Sequence, residues 1–306
     1  MKVLFLSDIK PNLALMKLAK WEISQGNQTY LKCNSPDRIY ISNVFDKNKH
    51  QDIFSNGAEI IRGGRAENPL SVLPYHIEHL KPYYDLYNLN YSMGFTSRGC
   101  IRKCEFCDNW LREGPVKDHA PISEWHDSNH KKVIILDNNF LASPEWKKNI
   151  NFIQEHQLKV NFHQGLDIRL INVEKATHLS TIKIENFEGT RNTIHFAFDN
   201  LKHAIKVERG VTILKDHGIK SGRLVFYMIV GFWNNDIKYD LERIKILKGL
   251  GCEPYVMLYE EGASRLQHKL ERWVNGTHAW RKGKFSDYKQ LTVKERAMVK
   301  KAEAIS

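Results

Sequence analysis

Three thiols crowd one short stretch, Gly99-Cys100-Ile101-Arg102-Lys103-Cys104-Glu105-Phe106-Cys107, at C-x3-C-x2-C spacing with no fourth cysteine nearby. Closely spaced thiolates are soft ligands that suit iron–sulfur clusters or zinc. A closed [4Fe-4S] cluster takes four cysteines and a structural zinc takes four ligands. Three thiolates on a four-iron cluster would leave one iron open to an outside ligand. The competing reading is a zinc knuckle completed by His119 or His126. Against it, residues 91–97 read as a strand feeding the loop, and no C-x2-C or H-x3-H half follows at finger spacing.

Beyond the loop the pattern is a regular strand–helix alternation. Residues 132–136 read as a strand ending in Asp137-Asn138-Asn139, and a helix around 146–156 leads to a strand at 160–162. That strand ends in His163-Gln164-Gly165-Leu166-Asp167-Ile168-Arg169, and a short helix near 173–179 follows. A strand at 193–198 ends in Asp199-Asn200, and a helix over 201–217 stops at Gly218. A strand at 224–230 ends in Gly231-Phe232, and a helix over 237–250 precedes a strand at 255–258. With the strand before the cysteines this gives six βα-type units, hence a parallel sheet with right-handed crossovers.

Ahead of the loop, residues 2–6 read as a buried strand and Pro11-Asn12 opens a helix, with Asn12 as its N-cap and Gly26-Asn27 as its stop. Strand-like runs follow at 29–31, 38–41 and 59–61, a β-α-β-β-β order that suggests a small Rossmann-like sheet. Residues 69–90, rich in Tyr, His and Pro, read as a linker onto the second domain. The length of 306 residues suits one large domain or two modest ones, and 42% hydrophobic with 26% charged residues is an ordinary globular balance. The first residues are too short an apolar run for a signal peptide, and nothing approaches a bilayer span, so a cytoplasmic, non-membrane protein is expected. Cys33 and Cys252 are isolated and read as buried small hydrophobes, which leaves one cluster at most.

The C-x3-C-x2-C loop with Phe106 just before its last cysteine resembles the radical S-adenosylmethionine (radical SAM) superfamily, as seen in bacteria and their phages. The resemblance implies a partial (β/α)6 barrel, giving an α/β chain with the small Rossmann-like parallel-sheet domain in front of it. It implies one [4Fe-4S] cluster on Cys100, Cys104 and Cys107, whose open iron is chelated by SAM. In that family an electron from a flavodoxin- or ferredoxin-type reductant cleaves SAM to a 5′-deoxyadenosyl radical, which abstracts hydrogen from a substrate. Phe106 would pack on the adenine, ordinary loop packing being the alternative. The front domain is similar to the cobalamin-binding domain of B12-dependent members, but Asp8-Ile9-Lys10-Pro11-Asn12-Leu13 lacks the D-x-H-x-x-G histidine. Some members bind cobalamin without it. A degenerate domain kept for packing or substrate contacts, without cobalamin, is the expectation.

Ligands of parallel barrels sit at the carboxyl ends of the strands. Asp137 and Asn138 stand where the family holds the SAM amino group, in the D-D/N-N wording of the B12-domain branch, and a turn or cap role is the alternative. Gln164, Asp167 and Arg169 follow the third strand. Asp167 and Arg169 would share a side, binding ribose hydroxyls and the SAM carboxylate, or would simply form an ion pair. Asp199 would reach the SAM ribose or carboxylate, or cap the next helix. Gly231 matches the second glycine of the family's G-x-I-x-G region.

The expected domains are 1–80, 81–262 and a basic, aromatic extension at 263–306. From residue 261 onward there are eleven Lys/Arg against five Asp/Glu, with Trp273, Trp280 and Phe285 interleaved. Together with the net charge of +11 this makes nucleic acid a candidate partner, and a nucleic acid base or nucleotide a candidate substrate. A peptide or small metabolite, with the tail as a lid, is the second substrate reading. A non-catalytic iron–sulfur or zinc module is the reading of another class.

Overall fold

Strand β1 (Lys2–Ser7) carries consecutive buried residues Val3, Leu4 and Phe5, as a central strand of a parallel sheet must. In the structure, a computed structural model that describes residues 1–45, 57–68, 70–233, 236–259 and 261–305, the chain forms two compact units. The first comprises Met1–Lys103, Asp108–Asn138 and Ser143–Val160. The second comprises Cys104–Cys107, Asn139–Ala142 and the residues from Asn161 onward.

In the first unit, the Asn12 carboxamide oxygen accepts the N–H of Leu15 at 3.1 Å and caps α1 (Leu13–Ser24), whose Leu15, Met16 and Ala19 are buried. Gly26, at φ +78°, ends the helix in the left-handed region. β2 (Gln28–Tyr30), β3 (Arg38–Ser42) and β4 (Glu59–Gly63) complete an all-parallel sheet in the order β2-β1-β3-β4 around Leu4, Ile39 and Ile41. The β-α-β-β-β order expected from the sequence thus forms a parallel sheet.

The stretch expected to be a linker is instead part of this unit's core. α2 (Tyr75–Glu78) and a 3-10 turn at Tyr84–Tyr87 bury Ile77, Tyr84 and Leu86, and the Tyr83 N–H donates to the Met16 carbonyl at 3.1 Å. Its apolar residues are spaced too irregularly to announce an element, yet they bury once α1 offers a surface. Pro69, the first residue of that stretch, lies outside the described residues, as does Glu260 near the end of the expected barrel.

β5 (Ser92–Gly94) leads to β6 (Ser97–Arg98), α3 (Asn109–Glu113) and β7 (Lys117–Asp118), which pairs antiparallel with β6. α4 (Ile122–Trp125), β8 (Lys132–Ile135), α5 (Trp146–Glu155) and β9 (Lys159–Phe162) follow, and β8 pairs in parallel with β5. No helix among the described residues is long and apolar enough to cross a membrane.

In the second unit, α6 (Val173–Ser180), β10 (Lys183–Ile184), β11 (Ile194–Ala197), α7 (Ala204–Asp216), β12 (Leu224–Val230), α8 (Ile237–Gly249) and β13 (Glu253–Leu258) alternate. β11, β12 and β13 form a parallel sheet in which Ala197, Tyr227 and Tyr255 stand side by side. Because side chains alternate across a strand, Phe196, Phe226, Met228 and Val256 are buried on one face while His195, Tyr227 and Tyr255 occupy the other. Leu166 adds a parallel bridge to Phe196. The chain is thus an α/β protein built on parallel strands.

The C-terminal segment shields the edge of β13. The Asn275 carboxamide donates to the Val256 carbonyl at 2.8 Å and accepts the Val256 N–H at 3.0 Å, imitating a neighbouring strand. α9 (Arg265–Glu271) is joined to α10 (Val293–Ile305) by a Lys269–Glu295 ion pair at 2.7 Å, and α10 packs on α8.

Candidate functional site

The cysteine loop begins at a backbone position that only glycine fills comfortably. Gly99 has φ +81°, and a Cβ there would collide with the Pro115 carbonyl oxygen. Glu113, at the end of α3, holds it: one carboxylate oxygen accepts the Gly99 N–H at 2.8 Å and the Asn138 carboxamide at 2.8 Å. The other accepts Arg98 at 2.6 Å. Cys100 then donates its N–H to the Gly114 carbonyl at 3.1 Å, and its sulfur accepts the Arg102 N–H at 3.3 Å.

Cys104–Cys107 belong to the second unit, where the Cys107 N–H donates to the Cys104 carbonyl at 3.0 Å. Phe106 packs edge-on against Phe232 (5.8 Å) and Trp233 (5.5 Å), and the Trp233 indole N–H donates to Glu105 at 3.0 Å. Gly231, at φ +89°, makes this group feasible, since a Cβ there would stand 2.5 Å from the Ala263 Cα.

Asp137 is buried, and its carboxylate accepts the Thr96 N–H, the Thr96 hydroxyl and the Ser97 hydroxyl, each at 2.6 Å. Burial raises its pKa, and these hydrogen bonds offset only part of the rise. Asn138 accepts the Asn109 carboxamide at 3.1 Å and, through Glu113, lies one hydrogen bond from Gly99.

Asp167 and Arg169 form the ion pair that was the plainer of their two readings, at 2.6 Å, and the guanidinium also lies 3.2 Å from His203 Nε2. Its positive charge acts on Cys104 and Asp199 as well. Asp199 does not cap the following helix; Asn200 accepts the Lys202 N–H at 3.0 Å instead. Asp199 accepts the Ile229 N–H at 2.9 Å, and burial pushes its pKa up. Arg243, buried on α8, donates to the carbonyls of Phe198, Asp199 and Ile229 and to Asp240 at 2.6–3.1 Å, locking the carboxyl ends of β11 and β12 together.

The open face of β11–β13 floors a cleft of about 810 Å³, which takes in Phe106, Gln164 and Asp199 at its strand-end side. Asp199 and Gly231 also line a smaller cavity of about 370 Å³. Of the residues expected from sequence, the structure thus gathers Phe106, Gln164 and Asp199 in one cleft and ties Asn138 to the cysteine loop. Asp137 and the Asp167–Arg169 pair are engaged with their own neighbours. Sequence reasoning missed Glu113, Arg243, Trp233 and His203, which sit in helices or turns whose local patterns do not mark them.

The thiols suit an iron–sulfur group in donor chemistry, three soft sulfurs within eight residues of chain. Among the described residues, no three His, Cys, Asp or Glu side chains are gathered so as to hold a metal ion. The fit is therefore one of donor set, not of preformed geometry. Neither histidine of the zinc reading is directed to the thiols: His119 Nε2 lies 3.1 Å from Glu78, and His126 Nδ1 lies 3.3 Å from the Ser92 hydroxyl. No family model matches the chain, and no curated protein matches it.

Proposed function

We propose that this chain is a radical SAM enzyme, with Cys100, Cys104 and Cys107 holding one [4Fe-4S] cluster and SAM as the cleaved partner. The observation that carries the reading is the C-x3-C-x2-C loop itself, set behind a glycine turn that Glu113 clamps. When bound, the cluster supplies the single electron that cleaves the SAM sulfonium, an electron delivered by a flavodoxin- or ferredoxin-type protein.

The chain's own residues have separable tasks in this scheme. Glu113 fixes the backbone before Cys100. The Arg102 N–H donates to the Cys100 sulfur, and the positive charge of Arg169 acts on Cys104. Phe106, Phe232 and Trp233 offer an apolar wall for an adenine. Asp199 presents a half-buried carboxyl to the cleft for ribose or ammonium.

A partial (β/α)6 barrel is the arrangement this reading requires. The parallel pairings β5–β8 and β11–β12–β13, together with the Leu166–Phe196 bridge, support it. The N-terminal sheet is read as a packing domain without cobalamin. In an open sheet of this order ligands lie outside the carboxyl ends of β1 and β3. There Asp8 accepts the N–H groups of Val44 and Phe45 at 2.8–3.0 Å, and Asn12 donates to the Ser7 and Ser42 hydroxyls.

The test is anaerobic reconstitution with iron and sulfide, then dithionite and SAM, measuring 5′-deoxyadenosine for wild type and Cys104→Ala. Product from wild type alone is expected. Zinc as the bound metal, or a cluster that never cleaves SAM, ends the reading.

A further inference from the structure

The large cleft extends well past the cluster side. It runs the whole length of the β11–β13 face, down to Thr193, Val225 and Glu253 at the strand starts, where the C-terminal segment closes it with Trp280 and His278. Its floor is aromatic: His195 stacks on Tyr227 at 5.2 Å and 13°, and Tyr255 meets Tyr227 edge-on at 5.7 Å. Such a floor suits a planar ring.

Two lining residues carry buried polar atoms with no hydrogen-bond partner, the Asn161 carboxamide oxygen and the Trp280 indole N–H. The residues are 3% and 6% exposed. The Asn161 NH₂ already donates to the Glu185 carbonyl at 2.9 Å, which fixes the amide and leaves its oxygen as the unused group. An unmade buried hydrogen bond is costly, so one spare acceptor and one spare donor in one cleft point to a ligand bearing both. Desolvation also lowers the pKa of His163 and His195, which disfavours charge on the imidazoles there.

Beside it, sharing His278, lies a second cleft of about 740 Å³ lined by Arg281, Lys282, Lys284 and Lys289 against Asp287 alone. At the junction Arg191 and Arg281 both pair with Glu253, at 2.9 and 2.7 Å, so two guanidiniums face one carboxylate. An aromatic chamber opening onto a cationic one matches a base joined to a phosphate.

We propose that this double cleft binds a nucleotide, its base on the His195–Tyr227–Tyr255 floor with its edge hydrogen-bonded to Asn161 and Trp280, and its phosphate on Arg281, Lys282, Lys284 and Lys289. The assignment rests on the function proposed above only in naming that enzyme's substrate class. Binding is measured without iron, reductant or SAM, so a failure here and a failure of SAM cleavage are told apart.

The experiment titrates the full chain with AMP, GMP, CMP and UMP, the matching nucleosides, ribose 5-phosphate and a single-stranded oligonucleotide, following heat release. At least one nucleotide other than AMP is expected to bind. Trp280→Phe, which removes one N–H and little volume, weakens it about tenfold and leaves ribose 5-phosphate unchanged. Lys282→Ala/Lys284→Ala weakens nucleotides and spares nucleosides. Tighter binding of the oligonucleotide than of any mononucleotide identifies a strand as the source, and the reverse identifies free nucleotide. The proposal is overturned if ribose 5-phosphate binds as tightly as every nucleotide, or if Trp280→Phe leaves nucleotide binding unchanged. It is equally overturned if only AMP binds and S-adenosylhomocysteine displaces it, for then the cleft holds the adenine of SAM.

Discussion

The carboxylate of Glu113 accepts the backbone N–H of Gly99 at 2.8 Å, and through the same oxygen it binds Asn138 at the end of β8. A single side chain thus ties the approach to the first cysteine to a strand end, while its other oxygen holds Arg98. Glu113→Ala removes three charge-assisted hydrogen bonds and is expected to cost about 2–3 kcal/mol. Thermal unfolding reads the loss, and iron bound per chain after reconstitution reads the consequence for the loop. Unchanged values of both would show that Glu113 holds nothing.

Gly99 is the second constraint on that loop. Alanine at φ +81° is strained, and its methyl would meet the Pro115 carbonyl. Gly99→Ala is expected to destabilise by about 1–3 kcal/mol and to reduce iron incorporation. Gly114→Ala is the control: its φ of +71° imposes the backbone strain, but no atom stands within 4 Å of a Cβ there. A Gly114→Ala loss as large as that of Gly99→Ala would show that the collision contributes nothing.

Much of this architecture was legible in the chain because it depends on local rules. Asn12 caps α1 as its position before an apolar helical stripe predicts, and the β-α-β-β-β order emerges as a parallel sheet. The strand-end residues Gln164 and Asp199 do line the large cleft. What was not legible depends on which distant groups meet. Nothing near Glu113 in sequence reveals that its carboxylate turns back to Gly99, and Arg243 is one of many basic residues on helical faces. Residues 70–90 looked irregular because their burial is set by α1, not by their own periodicity. Asp167 and Arg169 could be placed on one side, but sequence alone does not decide between an ion pair and a ligand site, which share the same residue types.

Arg243 is a heavily committed buried charge of the second unit, donating to three carbonyls and to Asp240, which Gln267 also binds at 2.8 Å. Removing it leaves the buried Asp240 carboxylate without its cation and takes a donor from three carbonyls. Arg243→Met is expected to cost about 3–5 kcal/mol, read by urea unfolding. Arg243→Lys keeps the charge but not the fork, so a smaller loss is expected. Equal losses for the two would mean that charge alone matters there.

Cys252 is buried, and burial pushes its thiol up to about 12. At pH 8 its thiolate fraction is on the order of one in ten thousand, which makes it a poor nucleophile. Alkylation of the native protein with iodoacetamide, mapped by peptide mass, should leave Cys252 unmodified while the half-buried Cys100, Cys104 and Cys107 react. Modification of Cys252 at their rate would contradict its burial.

Glu78 lets acid stability be tested. Burial opposes its ionisation, but the hydrogen bond from His119 and the charge and hydrogen bond of Lys17 outweigh it and hold its pKa at about 2. A carboxyl depressed from 4.5 in the unfolded chain stabilises the fold fully above pH 4.5, and that contribution fades as pH falls toward 2. Wild type should therefore exceed Glu78→Gln by about 2–3 kcal/mol at pH 7, and the gap should close between pH 4.5 and 2. Urea midpoints across that range measure it. A gap that stays constant with pH would show that Glu78 acts through packing, not through its charge on Lys17 and His119.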